Sequence, residues 1–299
     1  MDNKLEYILN VIKEKNPMHF KKLKKDFSKC DDNFFLRANF FLNKYNSLLE
    51  NNSQNLEFAI DCYLKLVEDV KNETENFIIT GEYSNKSFKE VNAKVYKNPH
   101  IMEYYLHGLL LAQFLWIQNY KMLIFFIESL NNCNNLKKYL EIGGGHGLYV
   151  SEALIFFDAE KTDYEFVDVS LSSIELAKKM ITNDSVSYIH CDIFDFFPNY
   201  GYDYITMGEV LEHVEEPLKL LKKIFSLLNQ GGKFFLTTPA NAPMIDHIYL
   251  FNNVDDIRKI ILDAGFIIQS ELYAYAEDVS SEVAERFKIP LRYAAILSK

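Results

Sequence analysis

The chain has 299 residues, with 32 Lys and Arg against 42 Asp and Glu, for a formal net charge of −10. That length buries a full core without disulfides or metal staples, and the acidic balance argues against a protein that coats nucleic acid, whose phosphate contacts would have to be built against an opposing field. Hydrophobic residues make up 48%, with 24 Phe and 19 Tyr against 7 Pro and 11 Gly, which is too apolar for disorder and too poor in breakers for a fibrous repeat.

Met1 to Asn10 mixes charge with single apolar residues and lacks the basic start and continuous apolar run of a secretion signal, so a cytoplasmic location is expected. Up to about residue 135 every strong period is helical. Leu5, Ile8, Leu9 and Ile12 recur at three- and four-residue steps, as do Phe58, Ile60, Tyr63, Leu64, Leu66 and Val67 with small slips. Turn formers and proline interrupt these stripes near Asn16–Pro17, Asp31–Asn33, Asn51–Ser53, Gly81–Ser84 and Asn98–Pro99. An all-helical unit of about five to seven helices is predicted over residues 1–135. In it, Lys21, Lys22, Lys24 and Lys25 read as a solvated helix face. The most apolar stretch, Tyr104 to Leu130, is interrupted by His107, Gln113, Gln118, Asn119 and Lys121. It never reaches the roughly 18 uninterrupted apolar residues of a membrane span, and reads as buried helix. The cysteines, Cys30, Cys62, Cys133 and Cys191, are too scattered for a zinc knuckle or a disulfide framework and read as reduced thiols.

After Asn131–Asn135 the pattern changes to short β-rich runs alternating with helical stretches, the signature of a parallel sheet with crossover helices. Candidate strands are Lys138–Ile142, Tyr164–Asp168, Val186–His190, Tyr202–Met207 and Lys233–Thr237, followed by extended stretches at Phe266–Tyr275 and Arg292–Leu297. Helices are predicted to start near Gly147, Leu171, Pro217 and Val254, with Ser172 and Glu175 as a capping box for the second. Seven strands without internal repeat suit one doubly wound domain over residues 136–299.

The first strand runs into Glu141-Ile142-Gly143-Gly144-Gly145-His146-Gly147. Clustered glycines between a strand and a helix let backbone approach a ligand closely. The dinucleotide pattern Gly-x-Gly-x-x-Gly is not satisfied, because counting on from Gly143 and Gly145 reaches Leu148. Glu-x-Gly-x-Gly-x-Gly is satisfied, at Glu141, Gly143, Gly145 and Gly147. The second strand ends in Asp168, suited to accept ribose hydroxyls, and the third leads into Cys191-Asp192-Ile193-Phe194. Here the sequence resembles the class I S-adenosylmethionine-dependent methyltransferases, over roughly Lys138 to Lys299. The turn Leu227-Leu228-Asn229-Gln230-Gly231-Gly232 before the fifth strand is similar to that family's as well, its glycines reading as a helix stop and tight turn. The resemblance implies an α/β, Rossmann-like seven-stranded methyltransferase core, with residues 1–135 as an N-terminal all-helical cap for substrate or dimerisation. It also implies S-adenosyl-L-methionine as cofactor. Glu141, Gly143, Gly145 and Gly147 would face its methionyl part, Asp168 and Val169 its ribose, and Asp192 and Ile193 its adenine.

Directly after the fourth strand stands Gly208-Glu209-Val210-Leu211-Glu212-His213. If a helical turn begins here, Glu209, Glu212 and His213 lie at i, i+3 and i+4 and point the same way. The segment resembles the Glu-x-x-Glu-His of small-RNA 2′-hydroxyl methyltransferases and ubiquinone-pathway O-methyltransferases, in which these residues are associated with a divalent cation. The loop after the fifth strand offers His247 as a fourth ligand. Two carboxylates and two imidazoles suit Mn²⁺ or Fe²⁺, tolerate Zn²⁺, and are less natural for Mg²⁺. Without a metal, His213 or His247 suits a general base with Glu212 beside it.

The leading expectation is methyl transfer to an oxygen or nitrogen of a small metabolite, free or tethered to a carrier protein, with no nucleic-acid or membrane partner and with homodimerisation open. The alternative is a metal-assisted RNA 2′-O-methyltransferase, which the net charge of −10 disfavours. Tyr104, Tyr105, His107, Gln113, Trp116 and Tyr120 are candidates for the acceptor pocket, although aromatic residues in an apolar helix usually belong to a core.

Overall fold

A computed structural model describes residues 3–131, 133 and 136–299. Seven helices come first: α1 (Lys4–Lys15), α2 (Pro17–Phe27), α3 (Asp32–Asn51), α4 (Leu56–Thr80), α5 (Phe88–Val91), α6 (Pro99–Leu115) and α7 (Ile117–Leu130). The first six start where a short polar side chain can accept an orphan backbone amide: Asn3, Asn16, Asp31, Asn55, Ser87 and Asn98. A single wider turn, Asn92–Tyr96, continues α5.

The single helix expected over Tyr104–Leu130 is two helices, α6 and α7, bent by 78° where Trp116 adopts an extended conformation. The polar interruptions explain the break: Asn119 donates to the Ala112 carbonyl and Gln113 donates to the Asn119 carbonyl, so backbone groups released by the bend keep partners. Among the described residues no single helix is long and apolar enough to cross a membrane.

The second half supplies β1 (Lys138–Ile142), α8 (Leu148–Phe156), β2 (Asp163–Asp168), α9 (Leu171–Met180), β3 (Val186–His190), β4 (Tyr202–Gly208), α10 (Pro217–Leu227), β5 (Leu228–Ala240), α11 (Val254–Asp263), β6 (Ile267–Tyr275), α12 (Ser281–Arg286) and β7 (Leu291–Ser298). They form one seven-stranded sheet in the order β3-β2-β1-β4-β5-β7-β6, with β7 antiparallel to both of its neighbours. The order reverses between β1 and β4, so the strand ends on either side of that point open a crevice, the usual ligand position in doubly wound sheets. Two local expectations are corrected. Ser170 caps α9, accepting from the Ser173 amide, because Asp168 takes the Ser170 amide and turns the chain two residues before Ser172. The fifth strand begins at Leu228, and Gly231 and Gly232 lie in a bulge within it, where Tyr202 pairs with Leu228 and Tyr204 with Lys233.

Alternation along the strands sends Tyr139, Tyr204 and Phe235 toward the helical layer and Leu140, Ile205, Phe234 and Leu236 toward α10 and α11. Phe126 of α7 joins the first of these faces to the helices. It is fully buried, its ring 4.9 Å from Phe235, 5.0 Å from Tyr149 and 6.1 Å from Tyr204, while Ser129 one turn on lies 2.6 Å from the Tyr204 hydroxyl. The apolar cluster thus runs unbroken from α1 to β7. Phe126→Ala is expected to remove about 3–5 kcal/mol of stability. In urea, helix circular dichroism and tryptophan emission should move together to a lower midpoint. Loss of only one of the two signals at the new midpoint would refute the shared core.

Candidate functional site

β1 ends at Ile142, and the next turn is threaded by Gly143, Gly145 and Gly147, all at positive φ (61°, 54° and 72°), a region that strains residues with a Cβ. The Gly143 amide donates to the Val167 carbonyl, and the Gly145 amide donates to Asp168 Oδ2 at 3.2 Å, so the loop is tied to the end of β2. Glu141 lies beneath it. Its Oε2 accepts the Val150 amide at 2.5 Å at the start of α8, and a Cβ on Gly144 would lie 2.5 Å from its Oε1. Burial holds the Glu141 carboxyl well above the usual carboxylate range.

A cavity of about 360 Å³ opens over the loop. Gly143, Gly145, Asp168, Val169, Asp192 and Ile193 line it, together with His213 and Glu209 from the other side of the switch point. Glu141 and Gly147 do not: the first props the loop, and the second starts α8, where a Cβ would strike Ile181. A Cβ on Gly145 would meet no atom within 4 Å, so the loop leaves room for a ligand to lie against backbone. Burial pushes the Asp168 carboxyl up to about 6, against the opposing pull of the Ser170 and Gly145 amides.

Beyond β4 the expected helical turn is only partly formed. Glu209 sits at φ 56° with its amide donating to Thr237, and the turn proper covers Leu211–His213. Glu209 therefore stands outside the turn that orients Glu212 and His213. Its carboxylate is 3.0 Å from Arg292 Nη1 of β7 and is not among the ligand atoms that gather around Glu212. Glu212, His213 and His247 do converge, their ligand atoms lying within 4.8 Å of one another. The pairing of residues 34 apart follows from one carbonyl: Glu212 O accepts from both the Ile248 and Tyr249 amides at 2.9 Å, pinning the 244–249 loop onto the turn.

Within the cluster, Glu212 Oε2 accepts from the Thr238 hydroxyl at 2.9 Å, while Oε1 has no hydrogen-bond partner and lies 3.7 Å from His213 Nε2 and 3.8 Å from His247 Nε2. His213 Nδ1 lies 2.9 Å from the Asp246 carbonyl, which can only accept; in the neutral ring the proton is therefore on Nδ1 and the lone pair on Nε2. Burial and the nearby Glu209 charge raise Glu212 above the ordinary carboxylate range. Burial opposes charge on His213, but the Asp246 and Glu212 carboxylates outweigh it and leave His213 raised; His247, buried without such support, is lowered.

Asp246 escaped the sequence reading, although it adjoins His247. It is buried, accepts the Tyr105 hydroxyl at 2.6 Å and the Tyr96 hydroxyl at 3.3 Å, and lines the cavity with both tyrosines. Tyr96 and Arg292 were missed too, since neither sits in a motif. Of the six candidates from the apolar helices, Tyr105 reaches this cavity, and Trp116 lines another. Tyr104 donates to Asp69, His107 pairs with Tyr45, Gln113 serves the α6–α7 bend, and Tyr120 packs on Phe34.

A family model described as a methyltransferase domain matches residues 115–271, more than half of the chain. The mitochondrial ubiquinone biosynthesis O-methyltransferase of Schizosaccharomyces pombe is 33% identical over 134 residues, covering 42% of this chain and 47% of that protein. Malonyl-acyl-carrier-protein O-methyltransferase 1 of Ilyobacter polytropus is 29% identical over 103 residues, 34% of this chain and 38% of that one. The chain thus spans about half the length of these curated relatives, or less. Among solved structures, that of the mitomycin 7-O-methyltransferase MmcR aligns with a TM-score of 0.53 at 13% identity, over 77% of this chain and 68% of that one. PigF with SAH aligns with a TM-score of 0.53 at 13% identity, over 82% and 74%. The domain match, the sheet order and the glycine loop at the switch point agree, and the chain belongs to the class I S-adenosylmethionine-dependent methyltransferases.

Proposed function

We propose that this protein transfers a methyl group from S-adenosyl-L-methionine to a hydroxyl oxygen of a small molecule, with His213 taking the proton. The observation that carries this reading is His213 Nε2, an imidazole lone pair oriented by the Asp246 carbonyl in the same cavity as Gly145 and Asp168. When bound, the donor supplies a methyl group already activated on a sulfonium centre. The chain's remaining tasks are to align the acceptor and to remove one proton. Gly143 and Gly145 leave backbone open to the donor, Asp168 accepts from the ribose hydroxyls, and Asp192 with Ile193 holds the adenine. Tyr96, Tyr105 and Asp246 keep the His213 ring in place. The helical segment 1–135 acts as a cap, supplying the two tyrosines. Oxygen rather than nitrogen as acceptor is supported by the O-methyltransferase names of both curated relatives, and the Ilyobacter relative supports a carrier-tethered acceptor as one form of the substrate.

The test is release of S-adenosylhomocysteine from the donor over a panel of phenols, catechols and carrier-bound hydroxy acids. His213→Ala should lower turnover on any active acceptor by roughly 10²–10⁴ while leaving calorimetric affinity for S-adenosylhomocysteine unchanged. Full turnover in the variant would remove His213 from the reaction.

Donor binding should also depend on acidity. Asp168, raised to about 6 by burial, is a carboxylate above that pH and a neutral acid below it. A charged acceptor holds ribose hydroxyls more strongly than a neutral one. The dissociation constant for S-adenosylhomocysteine should therefore rise as pH falls through about 6, and Asp168→Asn should flatten that profile. A flat profile in the unmodified protein would exclude Asp168 from the contact.

A second reading is favoured by Glu212 Oε1, a buried oxygen with no hydrogen-bond donor facing two imidazole nitrogens. Glu212, His213 and His247 would hold a divalent cation there, one carboxylate and two imidazoles suiting Fe²⁺, Mn²⁺ or Zn²⁺ better than Mg²⁺. Such an ion would supply Lewis-acid polarisation of the acceptor oxygen. Elemental analysis of protein purified without chelator should give one metal per chain, lost in His247→Ala. A metal-free protein that remains metal-free on dialysis against these ions would retire this reading and leave His213 as a base.

A further inference from the structure

Behind the Glu209–Arg292 pair lies a second cavity of about 370 Å³, enclosed by α2, α4, the α6–α7 bend, the loop after β5 and the start of β7. It shares no lining residue with the donor-side cavity, and the site described above leaves it unused. Its walls are largely apolar, with Leu23, Val67, Val70, Trp116, Met244 and Leu291 among them. Lys22 and Lys71, 46% and 72% exposed, line its open side, where Lys22 pairs with Glu277 and Asp26 stands nearby, whereas Arg292, 13% exposed, is its most enclosed cation.

Its wall also carries Trp116, His19 and Arg292. Indole Nε1–H of Trp116 can only donate, and it donates to the Tyr63 hydroxyl at 3.0 Å. The same hydroxyl lies 2.6 Å from His19 Nε2. Burial, with Lys22 nearby, brings His19 down to about 4 and keeps it neutral. His19 thus lines the cavity as a neutral ring. Arg292 uses Nε on the Asn119 side chain, and its buried Nη1, though 3.0 Å from Glu209, has no hydrogen bond of good geometry. A guanidinium fork is matched in shape and charge to a carboxylate.

We propose that this cavity is a second small-molecule site, which takes a largely apolar monocarboxylate with its tail among Trp116, Val67, Val70 and Met244 and its carboxylate on Arg292. The inference goes beyond methyl transfer and does not depend on the donor site.

Trp116 is the chain's only tryptophan and lines this cavity, so its emission reports occupancy directly. The full chain, without donor, is titrated with phenylacetate and octanoate, and with neutral phenylacetamide and octanol as controls. Saturable change is expected with the two carboxylates, and binding about tenfold weaker with the neutral probes. Arg292→Gln should weaken carboxylate binding about tenfold and leave the neutral probes unchanged. Because Arg292→Gln also frees Glu209, Val70→Phe on α4 serves as an independent variant: its ring should obstruct the apolar wall and weaken the response to both carboxylates about tenfold with an unchanged circular dichroism spectrum. No saturable response to either carboxylate, equal affinity for the neutral probes, or an undiminished response in folded Val70→Phe would overturn the proposal. Calorimetry with S-adenosylhomocysteine on the same samples separates this outcome from failure of the donor site, since the two cavities share no residue.

Discussion

Removing the Glu212 carboxylate from water leaves one oxygen with a single hydroxyl donor, Thr238, and the other with none, facing two imidazoles. A buried charge in that state is costly unless a cation or proton shares it. The backbone of the same residue holds the 244–249 loop through two amides, so the group that needs a positive partner also brings one of its partners, His247, into reach. Much of this side of the crevice is fixed by this one residue, through its side chain for charge and its carbonyl for position.

The helical layer completes what the sheet begins. Asn85 donates to the Ile245 carbonyl, the Tyr83 hydroxyl accepts the Ala242 amide, and Tyr105 donates to Asp246, so three points of the loop after β5 are held by side chains from the first half of the chain. The wider turn at Asn92–Tyr96 brings Tyr96 within 3.2 Å of His213 Nδ1. An insertion of one residue into a helix re-aims the side chains around it, and such turns recur at functional sites. The loop that carries His247 is thereby tied down from the helical side as well as by Glu212.

The overall acidity also acquires a local meaning. Asp168, Asp192, Glu209, Glu215, Glu216 and Asp246 all line the donor-side cavity, against Lys219 and His213. Carboxylates gathered around a low-dielectric crevice concentrate a negative field and favour a cationic ligand, as a sulfonium donor is. The same field argues against a polyanionic acceptor in that cavity.

Sequence alone determined the elements that rest on local periodicity and on a short motif. The helical breaks at Asn16–Pro17 and Asn98–Pro99, the parallel strands from β1 to β4, and the glycine turn before α8 all follow from side-chain spacing, caps and residues that tolerate positive φ, which are properties of neighbours in the chain. The bend at Trp116, the pairing of Glu209 with Arg292 and the convergence of His247 on Glu212 required the tertiary structure. Each depends on a partner far away in sequence: Asn119 against Ala112 across the break, Arg292 on β7 against Glu209, and a single carbonyl gripping a loop beyond β5. Spacing can place Glu209, Glu212 and His213 on one face of an ideal helix, but where the backbone departs from that helix is decided by what the strands on either side leave room for.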